Sequence, residues 1–161
     1  MALHEVHIEK GQLSKFEDYK AVFEDSALLR HYGEYVWDWV KQGLMEESAF
    51  VAVDRNGEYV GFMWMQMESM YANQPYLSLL GVRKDYRGHG VGEMLIRHFI
   101  KLYEDAGYDR GLIAVNDFNP RARLLYESMG FHKIAQFPEA LTPETNDLYL
   151  LMRKSGFQSN V

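Results

Sequence analysis

The sequence predicts an α/β domain in which helices cover one mixed, largely antiparallel sheet. Three observations carry that prediction. Two strand-like runs flank Asn56-Gly57 in "SAFVAVDRNGEYVGFMWMQME", a strong hairpin signal. A strand, a Gly-rich loop and an apolar-periodic segment follow one another from "PYLSLLGV" to Ala106. The C-terminal part then reads strand, helix, strand, strand, from "GLIAVN" to "DLYLLMR".

Each element has its own local reason. "HEVHIEK" alternates and reads as a short strand. Residues 13 to 42 are helical in character and rich in aromatics, with Gly33 and Gly43 as expected breaks. Gly81, inside "PYLSLLGV", suggests a bulge or a close backbone approach. Val91, Met94, Leu95, His98, Phe99, Leu102, Tyr103 and Ala106 follow one helical face, and Gly107 is a natural C′ residue after it. Asn119-Pro120 supplies an N-cap followed by Pro at N1. Ala122, Leu125, Tyr126 and Met129 share a face of that helix, and Gly130 closes it. "FHKIAQF" and "DLYLLMR" read as two final strands.

Composition narrows the function. A chain of 161 residues fits one domain, residues 1–161, and is long enough to bury a core without disulfides or metals. It has no cysteine, which excludes a disulfide framework and a catalytic thiol and agrees with a reducing, cytoplasmic setting. "MALHEVHIEKGQ" lacks the basic and apolar regions of a secretory signal. No apolar run approaches the roughly 20 residues of a membrane helix, so no membrane partner is expected. A formal net charge of −6 argues against nucleic acid as a partner and, away from the Gly-rich loop, favours a cation.

The loop in "RKDYRGHGVGEMLIRHF" has the layout of an anion site. Glycines let the backbone approach a ligand, and the free N–H groups and dipole of the following helix favour negative charge. The loop lacks the Gly-Lys-Ser/Thr ending of a nucleotide P-loop. Its glycines stand at 88, 90 and 92, not in the spacing of a dinucleotide fold. A Gly-rich turn that only starts a helix would not need three glycines, which cost unfolded-chain entropy.

The segment "VRKDYRGHGVGEMLI" resembles the acetyl-CoA-binding motif R/Q-x-x-G-x-G/A of the GCN5-related N-acetyltransferase (GNAT) superfamily, with Arg87, Gly90 and Gly92 at its fixed positions. "NPRARLLYESMGF" is similar to the second signature of that family through Asn119, Ala122, Leu125, Tyr126, Gly130 and Phe131. The two stand in the family's order with a helix and a strand between them. The resemblance implies a mixed, mostly antiparallel sheet flanked by helices, with two splayed parallel strands in the middle. It implies acetyl-CoA as co-substrate, with the pyrophosphate on backbone N–H groups of Arg87, Gly88, His89, Gly90, Val91 and Gly92. Leu80 and Val82 become backbone partners of the pantetheine arm. Asn119 either contacts that arm or caps its helix.

The activity implied by the resemblance is direct transfer of an acetyl group to a neutral amine. A backbone N–H near Leu80 would stabilise the oxyanion. Periodicity alone makes Tyr126 a core aromatic; the motif makes it the general acid, with phenol and thiol pKa values of roughly 10 and 8.5 close enough for transfer. Glu68, ending "MQMES", is the first candidate general base and Asp117 the second, each also readable as a solvated strand-end carboxylate. His89 faces solvent or phosphate on this reading, and His31, His98 and His132 have no partner at metal spacing, so no metal is expected. The methionines of "GFMWMQMESM" read as core filler. "HYGEYVWDWV" is an amphipathic helix or, with Glu34 and Asp38, an aromatic-acidic wall for a cationic or aromatic amine. "PEALTPETN" is a second possible wall. The expected protein is an N-acetyltransferase acting on a small-molecule or peptide amine, as a monomer or homodimer. The other reading is a non-catalytic acyl-CoA-binding or regulatory module.

Overall fold

The structure, a computed structural model, describes residues 5–69, 73–138 and 146–155. Most of "PEALTPETN" and the last methionine of the Met-rich run lie outside the described residues. The elements run β1 (His7–Lys10), α1 (Phe16–Tyr19), α2 (Ala27–Tyr32), α3 (Tyr35–Met45), β2 (Ala49–Val53), β3 (Tyr59–Ser69), β4 (Gln74–Val82), α4 (Val91–Asp105), β5 (Arg110–Asn116), α5 (Pro120–Ser128), β6 (His132–Phe137) and β7 (Leu148–Lys154). Short 3-10 turns lie at Leu13–Lys15, Lys20–Phe23 and Lys84–Tyr86.

The strands form one mixed sheet in the order β1-β2-β3-β4-β5-β7-β6. β1–β2, β2–β3, β5–β7 and β6–β7 are antiparallel, and β4–β5 is parallel. The parallel ladder holds Tyr76↔Leu112 and Leu77↔Ile113. β5 is paired along its whole length with β7, from Arg110↔Lys154 to Asn116↔Leu148.

The described chain divides into two compact units, one drawn from Met1–Met65 with Ser78–Phe99 and the other from Gln66–Leu77 with Ile100–Val161. In the first, the inner face of α3 (Val36, Val40, Leu44) meets Val51, Val53, Phe62 and Trp64 of the sheet, with Tyr19, Val22 and Phe23 completing the cluster. Tyr19, Phe23 and Phe62 meet through tilted and edge-on rings 5.8 Å apart at their centroids, a geometry that aromatic quadrupoles favour. In the second, Tyr103, Leu112, Ile113, Phe131 and Leu151 are buried, and the Tyr103 hydroxyl accepts a hydrogen bond from Arg153 Nη1 at 3.1 Å.

The local signals account for most boundaries. Ser26 caps α2 by accepting from the Leu29 N–H, and Gly33 ends that helix at φ +60°. Asn119 caps α5 with Pro at its start, and the Gly130 N–H bonds back to the Glu127 carbonyl. The expected break at Gly43 is corrected: Gly43 is buried inside α3. A Cβ there would stand 2.6 Å from Trp64 Cγ, so the glycine serves a close helix–sheet contact. At Gly81 the close approach is that of the Phe23 ring. Met63 and Met65 are buried, as core filler should be.

Gly43 makes two principles disagree in sign. Helix propensity favours Gly→Ala by about 1 kcal/mol. Overpacking opposes it by about 1–3 kcal/mol. We expect Gly43→Ala to lower the denaturant midpoint; an unchanged or raised midpoint would show that Trp64 yields at little cost.

Candidate active site

The Gly-rich loop is built from the hairpin outward. Asp54 is 5% exposed and stands just before the turn between β2 and β3. Its Oδ1 accepts from the N–H groups of Asn56 and Glu58, both at 2.9 Å, and its Oδ2 accepts from the Tyr86 hydroxyl at 2.9 Å. Burial by itself would raise its pKa, but these donors outweigh burial and hold it below its ordinary value. Next to it, the Arg83 N–H donates to the Val60 carbonyl, and its guanidinium binds Asp85 and Glu58. The segment entering the loop is therefore fixed on both sides.

Arg87 then commits its side chain to the backbone. Nε donates to the Val82 carbonyl at 2.8 Å, Nη1 to Asp25 O at 2.8 Å and Nη2 to Glu24 O at 2.7 Å. The guanidinium holds the loop to the end of β4 and to the turn between α1 and α2. Gly88 and Gly90 follow at φ +78° and +91°, a region L side chains rarely adopt. The first bond of α4 runs from the Met94 N–H to Gly90 O. The N–H groups of residues 88 to 92 have no acceptor among the described residues. His89 is exposed, and Val91 and Gly92 are buried in the first turn. What this arrangement can do is bind an anion through backbone N–H groups at a helix N-terminus, in a cradle that added Cβ atoms would strain. Leu80 and Val82, half-buried, lie on β4 just before it.

Tyr126 and Asn119 belong to the other unit. Tyr126 lies on the inner side of α5 and is 7% exposed. Burial pushes its phenol well above the usual value, and Tyr76 of β4 adds to the shift. Asn119 Oδ1 accepts from the Ala122 N–H at 3.4 Å, so the capping role is occupied. Asp117 is clamped: its N–H donates to Asp147 O and its Oδ2 accepts from the Asp147 N–H at 3.0 Å. Glu68 is exposed and accepts from the Tyr108 hydroxyl at 3.1 Å.

Several of these partners were not singled out by sequence reasoning. Asp54 had a signal, since an Asp two residues before Asn-Gly is a turn-closing pattern. The Arg87 carbonyl partners lie 62 and 63 residues away, and local pattern does not reach them. The same holds for the buried pair in which Asn116 Nδ2 donates to Asn146 Oδ1 at 2.9 Å.

Asp54 binds its proton less readily in the folded state, so it stabilises the fold above its ordinary value of 3.8. That contribution is lost as pH falls through the still lower folded value. Asp54→Asn should be less stable than wild type at neutral pH by about 1–3 kcal/mol, with a smaller decline on acidification below pH about 4. Parallel melting curves for the two proteins across pH 2.5–6 (roughly the window set by the carboxylate pKa values) would check this.

The sequence signature of the acetyltransferase (GNAT) family matches residues 14–131. The chain is 30% identical over 133 residues to the peptidyl-lysine N-acetyltransferase YjaB of Salmonella typhimurium, covering 78% of this chain and 83% of that protein. It is 27% identical over 130 residues to the 5-NmdU N-acetyltransferase of Pseudomonas phage PaMx11, covering 81% and 83%. It also matches the mycothiol acetyltransferase of Streptomyces coelicolor, but spans only 28% of that protein's length. Among solved structures, the ribosomal-protein-S18-alanine N-acetyltransferase of Escherichia coli superposes with a TM-score of 0.75 at 20% identity, over 97% of this chain and 98% of that one. The chain belongs to the acetyltransferase (GNAT) family and is an acyltransferase.

Proposed function

We propose that residues 1–161 form one catalytic domain that transfers the acetyl group of acetyl-CoA directly to a primary amine. The observation that carries this reading is the row of N–H groups at residues 88 to 92, without acceptors among the described residues, on a loop in positive-φ conformation at the start of α4. Bound acetyl-CoA would supply an activated acyl carbon and a thiolate leaving group. Gly88, His89, Gly90, Val91 and Gly92 hold its pyrophosphate through their backbone N–H groups, while Arg87, whose N–H bonds Lys84 O and whose guanidinium serves three carbonyls, holds the loop in place. Leu80 and Val82 offer β4 backbone to the pantetheine arm, and a backbone N–H near Leu80 stabilises the oxyanion. Asn119 keeps α5 in place as its cap.

Tyr126 is the proton donor to the departing sulfur. Its raised pKa keeps the phenol protonated throughout the neutral range. The same shift weakens it against a thiol near 8.5, so it acts as a hydrogen-bond donor that completes the transfer only as the C–S bond breaks. Glu68 is the first candidate to accept the amine's proton. Asp117 stands second because its carboxylate already anchors Asp147.

The acceptor is a small-molecule or peptide amine. Relatives named for peptidyl-lysine and for 5-NmdU support an amine acceptor and differ on its size. No helix among the described residues is long and apolar enough to cross a membrane, and the cysteine-free sequence suits a cytoplasmic enzyme. Monomer and homodimer are both compatible with this reading.

Release of coenzyme A across a panel of amines and short peptides, followed with a thiol reagent, tests the reaction without protein background, since the chain has no cysteine. Amine-dependent release is expected. Binding of acetyl-CoA with no release on any amine would favour a binding module, and absence of binding would remove the coenzyme assignment. Tyr126→Phe should lower kcat about 100-fold and leave acetyl-CoA affinity within a factor of about two. Glu68→Gln should lower kcat roughly 10- to 100-fold and move the acidic limb of the pH profile. Unchanged turnover in either variant would remove that residue from the mechanism.

A further inference from the structure

The turn between α1 and α2 carries a cluster of charge that the proposed chemistry does not use. At its centre is Asp25, a non-glycine residue at φ +53°. Left-handed backbone costs free energy for an L residue and persists when its surroundings hold it. Here the surroundings are three cations. Lys84 Nζ stands 2.8 Å from Asp25 Oδ2. Arg30 Nη1 reaches both Oδ1 at 2.8 Å and the Asp25 carbonyl at 2.9 Å. Arg87 Nη1 donates to the same carbonyl at 2.8 Å. The Lys84 ammonium, adding its charge to its hydrogen bond, is the main cause of a lowered Asp25 pKa, with Arg30 contributing.

These partners are not scattered along the chain. Lys84 opens the 3-10 turn leading into the Gly-rich loop, and Arg87 begins the loop itself. Arg30 lies in the last turn of α2. One residue thus joins the loop to α2, its carboxylate binding Lys84 and Arg30 and its carbonyl binding Arg87 and Arg30. The contacts are solvent-accessible, and an isolated exposed ion pair stabilises little. Networks with fixed geometry are different, because each partner restricts the next. What such a network can alter is the position of the loop rather than global stability, and the hold of backbone N–H groups on an anion depends on their convergence.

We propose that Asp25 is a positioning residue for the coenzyme loop: its carboxylate, through Lys84, and its carbonyl, through Arg87, hold residues 84 to 90 in the conformation that presents the loop N–H groups to pyrophosphate. This rests on the reading that the loop binds acetyl-CoA. Asp25 touches neither coenzyme nor amine in this role. Its effect falls on coenzyme affinity, and turnover at saturation is preserved.

The test is a double-mutant cycle on coenzyme A binding, measured by calorimetry with the full chain. Asp25→Asn keeps a side chain that tolerates positive φ and keeps the backbone carbonyl, but removes the carboxylate from Lys84 and Arg30. Lys84→Ala removes the partner. Each single variant should weaken coenzyme A binding by about 5- to 10-fold, and the double variant should be no weaker than the worse single one, because the two act through one contact. Melting temperatures within a few degrees of wild type and unchanged kcat at saturating acetyl-CoA would separate positioning from general destabilisation. Asp25→Gly, which relieves the backbone and lacks the carboxylate, should bind as weakly as Asp25→Asn. Wild-type affinity in Asp25→Asn, or strictly additive losses in the cycle, would overturn the proposal while leaving the coenzyme assignment intact. Failure of the wild-type protein to bind coenzyme A would overturn both.

Discussion

A single buried carboxylate sets the frame on which the first unit is organised. Asp54 closes the β2–β3 turn through two backbone N–H groups and, with its other oxygen, receives the Tyr86 hydroxyl. A charge taken out of water is tolerated only when donors replace its solvation, and here three of them do. Because those donors belong to the hairpin and to the segment before the Gly-rich loop, the loop inherits the position of the hairpin. Arg83 and Arg87 add to this from either side of Tyr86, one binding carboxylates and the other carbonyls. The glycines therefore operate between fixed ends. A loop with residues at positive φ would otherwise sample many conformations, and its N–H groups would converge on an anion only part of the time.

The second unit uses a buried amide pair and one carboxylate for a comparable purpose. Asn116 and Asn146 pair in a buried setting, and Asp117 and Asp147 exchange hydrogen bonds alongside them. These contacts fix the chain leaving β5 to the chain entering β7, just ahead of the α5 cap. The Asp117 carboxylate is thereby already committed to holding Asp147. Glu68 carries one neutral donor, Tyr108, on an exposed side chain and is less constrained.

Much of this was legible in the sequence, for reasons of range. The hairpin, the end of α2 at Gly33, the cap of α5, the helix after the loop and the final strand pair depend on residues within a few positions of one another. The two motifs were readable because their chemistry is local, a loop backbone and one helix face. Gly43 was misread because a glycine near a helix end usually terminates it, whereas here Trp64, 21 residues on, sets the requirement. The partners of Arg87 were hidden for the same reason. A guanidinium beside a Gly-rich loop suggests an anion contact, and only tertiary structure shows it spent on carbonyls of a distant turn. The general base is the least legible part, since a carboxylate's role depends on what it touches and not on its spacing.

The irregularity in β6 bears on how the molecule behaves in a crowd. β6 ends the sheet, and its register with β7 shifts between Lys133 and Ala135, which leaves Ile134 as an extra residue, 51% exposed. An unbroken outer strand would offer evenly spaced donors and acceptors to any passing chain. The extra residue interrupts that spacing and twists the strand locally, so a visiting strand could satisfy only a short stretch at a time. Ile134 is the visible cost of this arrangement, an apolar side chain left half in water where the edge spacing is broken.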